Sequence, residues 1–325
     1  MKTQEKILRV CLSEEEKSAI ENLALVISDN PKMLDEFSFL SNSHLYAQEL
    51  PRRVRELFYQ FKNQESHLAI LIENAPLFKK DFPKTPTKYR EKHDYKLDRS
   101  DIIHGLFSSL LGEPFSFSTQ RHGHAYNRII PLPKFESISN SSSGSLYNFG
   151  FHSEDAFHIG MPDYLGLMCL RNTENAPTVI ASIKDVFIPR EIKKILFEPQ
   201  FYIESNPIHK NVIKEINSTK KSILFGHFDN PYLRINMNTL DLNMYEGKVK
   251  EALSFIYEAI NKNKIEITLK SGNCLYVDNF NAVHRRDSFI PNYGDEARWL
   301  TRLVVTNDLR KTRHLRDKAD SRIIN

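Results

Sequence analysis

At Pro114 the chain changes character, and this change constrains its fold more than any other feature. Before it, apolar residues recur at helical spacing. Ser13-Glu14-Glu15-Glu16 has the form of a capping box, and Ile20, Leu23, Ala24 and Ile27 behind it share one helical face. A second helix is predicted over 54–72, with Leu57, Phe58, Phe61, Leu68 and Ile72 turned to a core. The proline- and lysine-rich stretch 76–86 reads as a surface connection, and a third helix starts at Ser100-Asp101 and stops at Gly112. After Pro114, short stretches rich in β-branched and aromatic residues alternate with turn residues, as strands do. They cover 115–119, 146–151, 165–171, 178–183, 223–224, 232–235, 265–269, 273–278 and 298–306. One amphipathic helix interrupts them over 245–260, with Val249, Leu253, Ile256 and Ile260 inward. Short strands beneath a helical N-terminal layer predict a jelly roll, a mainly β double-sheet fold with helices packed outside it. The whole of 1–325 reads as one domain, 1–112 the helical layer and 113–325 the jelly-roll core. The long charged segment 187–221 is expected to close over a site as a lid.

Composition narrows the class. Of 325 residues, 40% are hydrophobic and 26% charged, ordinary values for a globular protein. No run reaches the roughly 20 apolar residues of a membrane span, so no membrane partner is expected. The first residues lead into no apolar stretch of the secretory kind. The 3 cysteines, Cys11, Cys169 and Cys274, are far apart and in no C-x-x-C pattern. Together these point to reduced thiols in the cytoplasm. Part of the net charge of +4 comes from the tail 310–318. No zinc-finger or RNA-binding signature accompanies it, so it reads as a solvated or folded-back tail and not a nucleic-acid site.

The chemistry-bearing stretch is Phe151-His152-Ser153-Glu154-Asp155-Ala156-Phe157-His158. In an extended strand, residues i and i+2 face the same way, so His152 and Glu154 present an imidazole and a carboxylate to one point. That is two thirds of the facial triad, two histidines and one carboxylate, which leaves coordination positions open on non-haem Fe(II). The third ligand must come from another strand. His284 is the best placed, after an apolar stretch and the polar step Asn279-Phe280-Asn281. Arg298 opens a further apolar strand and offers a guanidinium able to grip a dicarboxylate bidentately. His122-Gly123-His124 lacks a matched partner, His158 reads as structural, Asp155 alternates away from the face of Glu154, and Trp299 reads as core.

This segment, with Pro162-Asp163-Tyr164-Leu165 and Cys169-Leu170-Arg171-Asn172 after it, resembles the metal-binding segment of clavaminate synthase-like Fe(II)/2-oxoglutarate dioxygenases. Within them it is most similar to bacterial hydroxylases of free arginine, lysine or asparagine. Val283-His284-Arg285, Arg298-Trp299-Leu300 and Asn307-Asp308-Leu309-Arg310 match the family's C-terminal pattern, and Phe225-Gly226 with Pro231-Tyr232-Leu233-Arg234 its middle. The resemblance implies a double-stranded β-helix in which His152, Glu154 and His284 hold Fe(II). It implies that Arg298, helped by Thr178, binds the distal carboxylate of 2-oxoglutarate. O2 is then the oxidant, succinate and CO2 are released, and an unactivated C–H is hydroxylated. Related halogenases lack the carboxylate that stands here as Glu154.

For the substrate, the resemblance implies a free L-amino acid with Gln120 and Glu154 near its amino group, a serine-loop hydroxyl from Ser142 or Ser145, and Arg302 at its carboxylate. Hydroxylases of basic amino acids place an acidic residue soon after the Pro-Tyr-Leu-Arg motif. Here Asn236 and Asn238 stand instead, with Asp241 further on; the asparagines offer hydrogen bonds but no charge, so a cationic substrate would need Asp229 or Asp241 to reach the pocket. A lysine- or arginine-like substrate and a neutral polar one both remain open. The same chemistry on a carrier- or peptide-bound amino acid, and a jelly-roll binding protein without turnover, are the alternatives.

Overall fold

The computed structural model describes residues 6–78, 83–89, 91, 96–139, 141–205 and 219–325. Its large sheet runs in the order β1 (Ile7–Val10), β2 (Ala69–Ile72), β11 (Cys274–Asp278), β6 (Tyr164–Arg171), β13 (Trp299–Thr306), β3 (Glu113–Phe117), β14 (Ile323–Ile324). The short β4 (Asn127–Ile129) also pairs with β13. The small sheet runs β10 (Lys264–Ile267), β7 (Thr178–Ala181), β12 (Val283–Arg286), β5 (Phe149–His152). A hairpin of β8 (Leu224–Gly226) and β9 (Pro231–Leu233) stands apart.

The alternation of side chains along each strand produces a four-layer arrangement. From β6, Leu165, Leu167 and Cys169 turn inward and meet Ile180 and Ile267 of the small sheet. Met168 and Leu170 turn outward into a core shared with the N-terminal helices. Those helices are α1 (Glu14–Ser28), α2 (Glu36–Ala47), α3 (Arg52–Gln64) and α4 (Arg99–Leu111). On the other side, Val179, Ala181 and Val283 of the small sheet pack under α5 (Arg190–Phe197) and α6 (Gly247–Lys262). The jelly-roll expectation with helices outside it holds.

Ser13 and Glu16 form the predicted capping box of α1. The helix expected over 54–72 ends early. α3 stops at Gln64, Glu65 turns into the left-handed region at φ 48°, and Ala69–Ile72 becomes β2 between β1 and β11. A short apolar run reads alike in a helix and in a buried strand; here pairing on both edges decides. The third helix begins one residue earlier than expected, capped by Asp98 with Asp101 reciprocating, and stops at Gly112. The basic tail folds back: Ile323 and Ile324 pair with Ser116 and Phe117, and Arg322 meets Glu113 at 2.6 Å. Of the segment expected to be a lid, 206–218 lies outside the described residues. Its described part carries α5 and sends Leu196, Phe201 and Ile203 into the second core. Among the described residues no helix is long and apolar enough to cross a membrane.

Candidate active site

Three elements bring the triad together. β5 and β12 lie side by side with His152 opposite His284, so the two imidazoles stand 4.2 Å apart, centroid to centroid. Glu154 comes from the turn that follows β5, two residues beyond the strand's last residue. The alternation argument therefore reached the right pair by only part of the right route. What fixes Glu154 is Asn279, whose Oδ1 accepts from Glu154 N at 2.7 Å and whose Nδ2 donates to Glu154 O at 3.1 Å and Pro162 O at 2.8 Å. Glu154 Oε2 lies 3.9 Å from His152 Nε2 and 3.3 Å from His284 Nε2. All three residues are buried, and their ligand atoms fall within 4.8 Å of one another.

Protonation favours metal binding. His152 Nδ1 donates to Gly150 O at 2.9 Å, because a carbonyl can only accept. That leaves the Nε2 lone pair directed at the triad. Burial, followed by the neighbouring His284, pushes the His152 imidazole down to about 3, so it is neutral near pH 7. Burial works against ionisation of Glu154, yet Arg302 and the two imidazoles outweigh it and hold the carboxyl well below the usual range. Two imidazoles and one carboxylate on a shared point fit Fe(II).

A cavity of about 450 Å³ opens from the triad. Arg298 and Thr178 line it, both buried. Arg298 is 3% exposed, burial lowers its pKa, and its Nε has no hydrogen-bond partner among the described residues. A buried guanidinium without an anion is costly, so this end of the cavity fits the far carboxylate of a dicarboxylate. Arg286, which the sequence reading did not single out, lies beside it. Burial and then Arg298 push Arg286 down to about 10, and its contacts go to backbone carbonyls of Ser145, Tyr147 and Asp287. It sits two residues after His284 on β12. Recognising 283–286 as a strand would have revealed it.

The remaining expected residues reach the same cavity. Arg302 donates to Glu154 Oε1 and to Gln120 Oε1, and Gln120 Nε2 donates to Asp155 Oδ1 at 2.8 Å. Ser142 lines the cavity, as do Asn236 and Asn238. Ser145 is buried behind it. Asp155 is a correction: it is no part of the triad, but it turns left-handed at φ 47° and lines the cavity instead of facing away. Sequence reading also missed Tyr89 and Arg121, whose guanidinium stacks 3.4 Å over the Tyr89 ring. Among the described residues the wall carries Arg121, Arg128, Arg285, Arg286, Arg298 and Arg302 against Glu154 and Asp155. His124 is bound to Glu36 at 2.9 Å, His158 accepts from Gly160 N at 2.8 Å, and Trp299 is core. None of them joins the triad.

Known proteins are similar to this chain over almost its whole length. The chain is 31% identical to the enduracididine beta-hydroxylase of Streptomyces hygroscopicus, across 98% of this chain and 100% of that protein. It superposes on non-heme iron oxygenase OrfP in complex with Fe, succinate and (3S)-hydroxy-L-arginine with a TM-score of 0.90, at 26% identity, covering 98% and 99% of the two chains. With OrfP in complex with Fe and alpha-ketoglutaric acid the TM-score is 0.88, at 28% identity, covering 98% and 100%. The family model described as taurine catabolism dioxygenase matches residues 67–304. The chain belongs to the taurine catabolism dioxygenase TauD, TfdA family.

Proposed function

We propose that this protein is an Fe(II)- and 2-oxoglutarate-dependent oxygenase that hydroxylates an unactivated C–H of a free L-amino acid. The observation that carries the reading is the buried His152–Glu154–His284 cluster with the unpaired guanidinium of Arg298 in the same cavity. When bound, Fe(II) with 2-oxoglutarate and O2 supplies the oxidation, releasing succinate and CO2 as the hydroxyl is introduced. The chain supplies the positions. His152, Glu154 and His284 hold the metal, and the His152 Nδ1–H bond to Gly150 O keeps Nε2 as the ligand atom. Arg298 and Thr178 receive the distal carboxylate of 2-oxoglutarate. Arg302 anchors the substrate carboxylate, while Gln120 Oε1 and the Glu154 carboxylate accept from its ammonium. Ser142, Asn236 and Asn238 face the rest of the substrate. Leu167, Leu300 and Phe157 on the wall keep water from the reacting carbon.

We further propose a cytoplasmic location, supported by three unpaired cysteines, of which Cys169 and Cys274 are buried. The activity is tested by incubating purified protein with Fe(II), ascorbate, 2-oxoglutarate and single amino acids. Succinate is expected in step with a hydroxylated amino acid. Background succinate with every amino acid rejects the free amino-acid reading.

A further inference from the structure

Arg302 meets the triad on its Glu154 side. Asn236 meets it on the other, through a backbone bridge to His152. An amino acid anchored at Arg302 and Gln120 therefore extends its side chain past the triad toward Asn236 and Asn238. An asparagine amide can present either a donor or an acceptor to a ligand, and here the backbone fixes which. Gly150 N donates to Asn238 Oδ1 at 2.8 Å, and Asn238 Nδ2 donates to Gly150 O at 3.2 Å and to Asn236 Oδ1 at 3.0 Å. Asn236 Oδ1 also accepts from Asn238 N at 3.0 Å. A backbone N–H can only donate, so both side-chain oxygens are turned toward the protein. The clamp needs glycine at 150, since a Cβ there would lie 2.9 Å from Asn238 Oδ1.

What is left for the cavity is the Asn236 Nδ2 amide, a donor that makes no hydrogen bond to the described residues. Ammonium and guanidinium groups also bring only donors. At this wall, donor would face donor. Asp155 does not relieve this, because it accepts from Gln120 and so stands at the end that holds the α-amino group. We infer that the site takes an L-amino acid whose side chain ends in an oxygen acceptor, a carboxamide or a carboxylate, which receives the Asn236 amide. The inference rests on the hydroxylase reading above.

The test uses iron-loaded protein and compares asparagine, glutamine, aspartate and glutamate with lysine, ornithine and arginine, following succinate and hydroxylated product. The best acceptor-ended amino acid is expected to exceed the best cationic one in kcat/KM by about tenfold or more, the effect of one buried hydrogen bond made or missed. The carboxamide and carboxylate arms separate the two acceptors. Asn236→Asp keeps Oδ1 in place and turns the inward donor into an acceptor. It is expected to shift the ranking toward the cationic amino acids by a similar factor, with thermal melting checking that the variant folds. A cationic amino acid as the best wild-type substrate, or an unchanged ranking in folded Asn236→Asp, overturns the inference and leaves the hydroxylase reading standing. No succinate with any of the seven overturns the inference, and the hydroxylase reading falls with it only if every other amino acid also gives background succinate.

Discussion

Arg298 and Arg302 lie on one face of the same stretch of chain, with Leu300 between them on the cavity wall. They are expected to act separately, because Arg302 already contacts Glu154 whereas Arg298 forms no ion pair among the described residues. Arg298→Ala should weaken 2-oxoglutarate binding by about tenfold or more while leaving Fe(II) binding within a few-fold of wild type. Titrating each ligand separately checks this; equal losses of both would show that Arg298 supports the triad rather than the keto acid. His152, Glu154, His284 and Arg298 were legible because few chemistries need those residue types in that order. Asn279 and Arg286 were not. Asparagine serves turns, caps and backbone clamps alike, and only the fold shows that Asn279 fixes Glu154 through its backbone. Asp155 was misread because alternation fails where the strand has already ended.

At the level of the element, α4 is almost wholly buried, and His104 sits in it against Tyr126 and Tyr276 with neither ring nitrogen hydrogen-bonded to the described residues. Gly166 leaves room for it, since a Cβ there would lie 2.9 Å from His104 Nε2. Burial pushes the imidazole from 6.5 down to about 3. The ring stays neutral in the folded protein but takes up a proton once unfolded, so the unfolded state binds more protons over this range. Stability is full above the unfolded value and falls as the pH drops through 6.5 toward about 3. By about pH 4 the loss is roughly 3 kcal/mol. His104→Phe should flatten the acid side of the melting-temperature profile relative to wild type. Parallel profiles would assign acid unfolding to other groups. α1 and α4 could be read because capping boxes mark them, and α6 because its buried residues share an apolar face. α2 could not, since its buried positions include Glu36 and Ser43 and its apolar pattern is weak. The strands β1, β12 and β14 are too short to carry a period of their own.

For the molecule as a whole, the class of fold was visible in the change at Pro114, whereas strand order was not. β13 joins β3 and β6, and β2 joins β1 and β11, across separations that local pattern cannot encode. Long-range pairing of the same kind brings together the residues proposed to hold the metal, so metal and fold should stabilise each other. Fe(II), or a redox-inert divalent substitute, at a hundredfold excess over its dissociation constant should add about 2.7 kcal/mol. Calorimetry with and without chelator reads this as a shift in melting temperature, and the shift should vanish in His152→Ala. An undiminished shift in that variant would place the metal elsewhere. β12 is only four residues long, yet it carries His284 and Arg286 and joins β7 to β5. Sliding this ribbon by one position would swing the imidazole into the hydrocarbon beneath α6, where Val283 now packs. Mis-threaded chains would then be unable to load iron, and the metal-to-protein ratio of a preparation becomes a census of correctly threaded molecules.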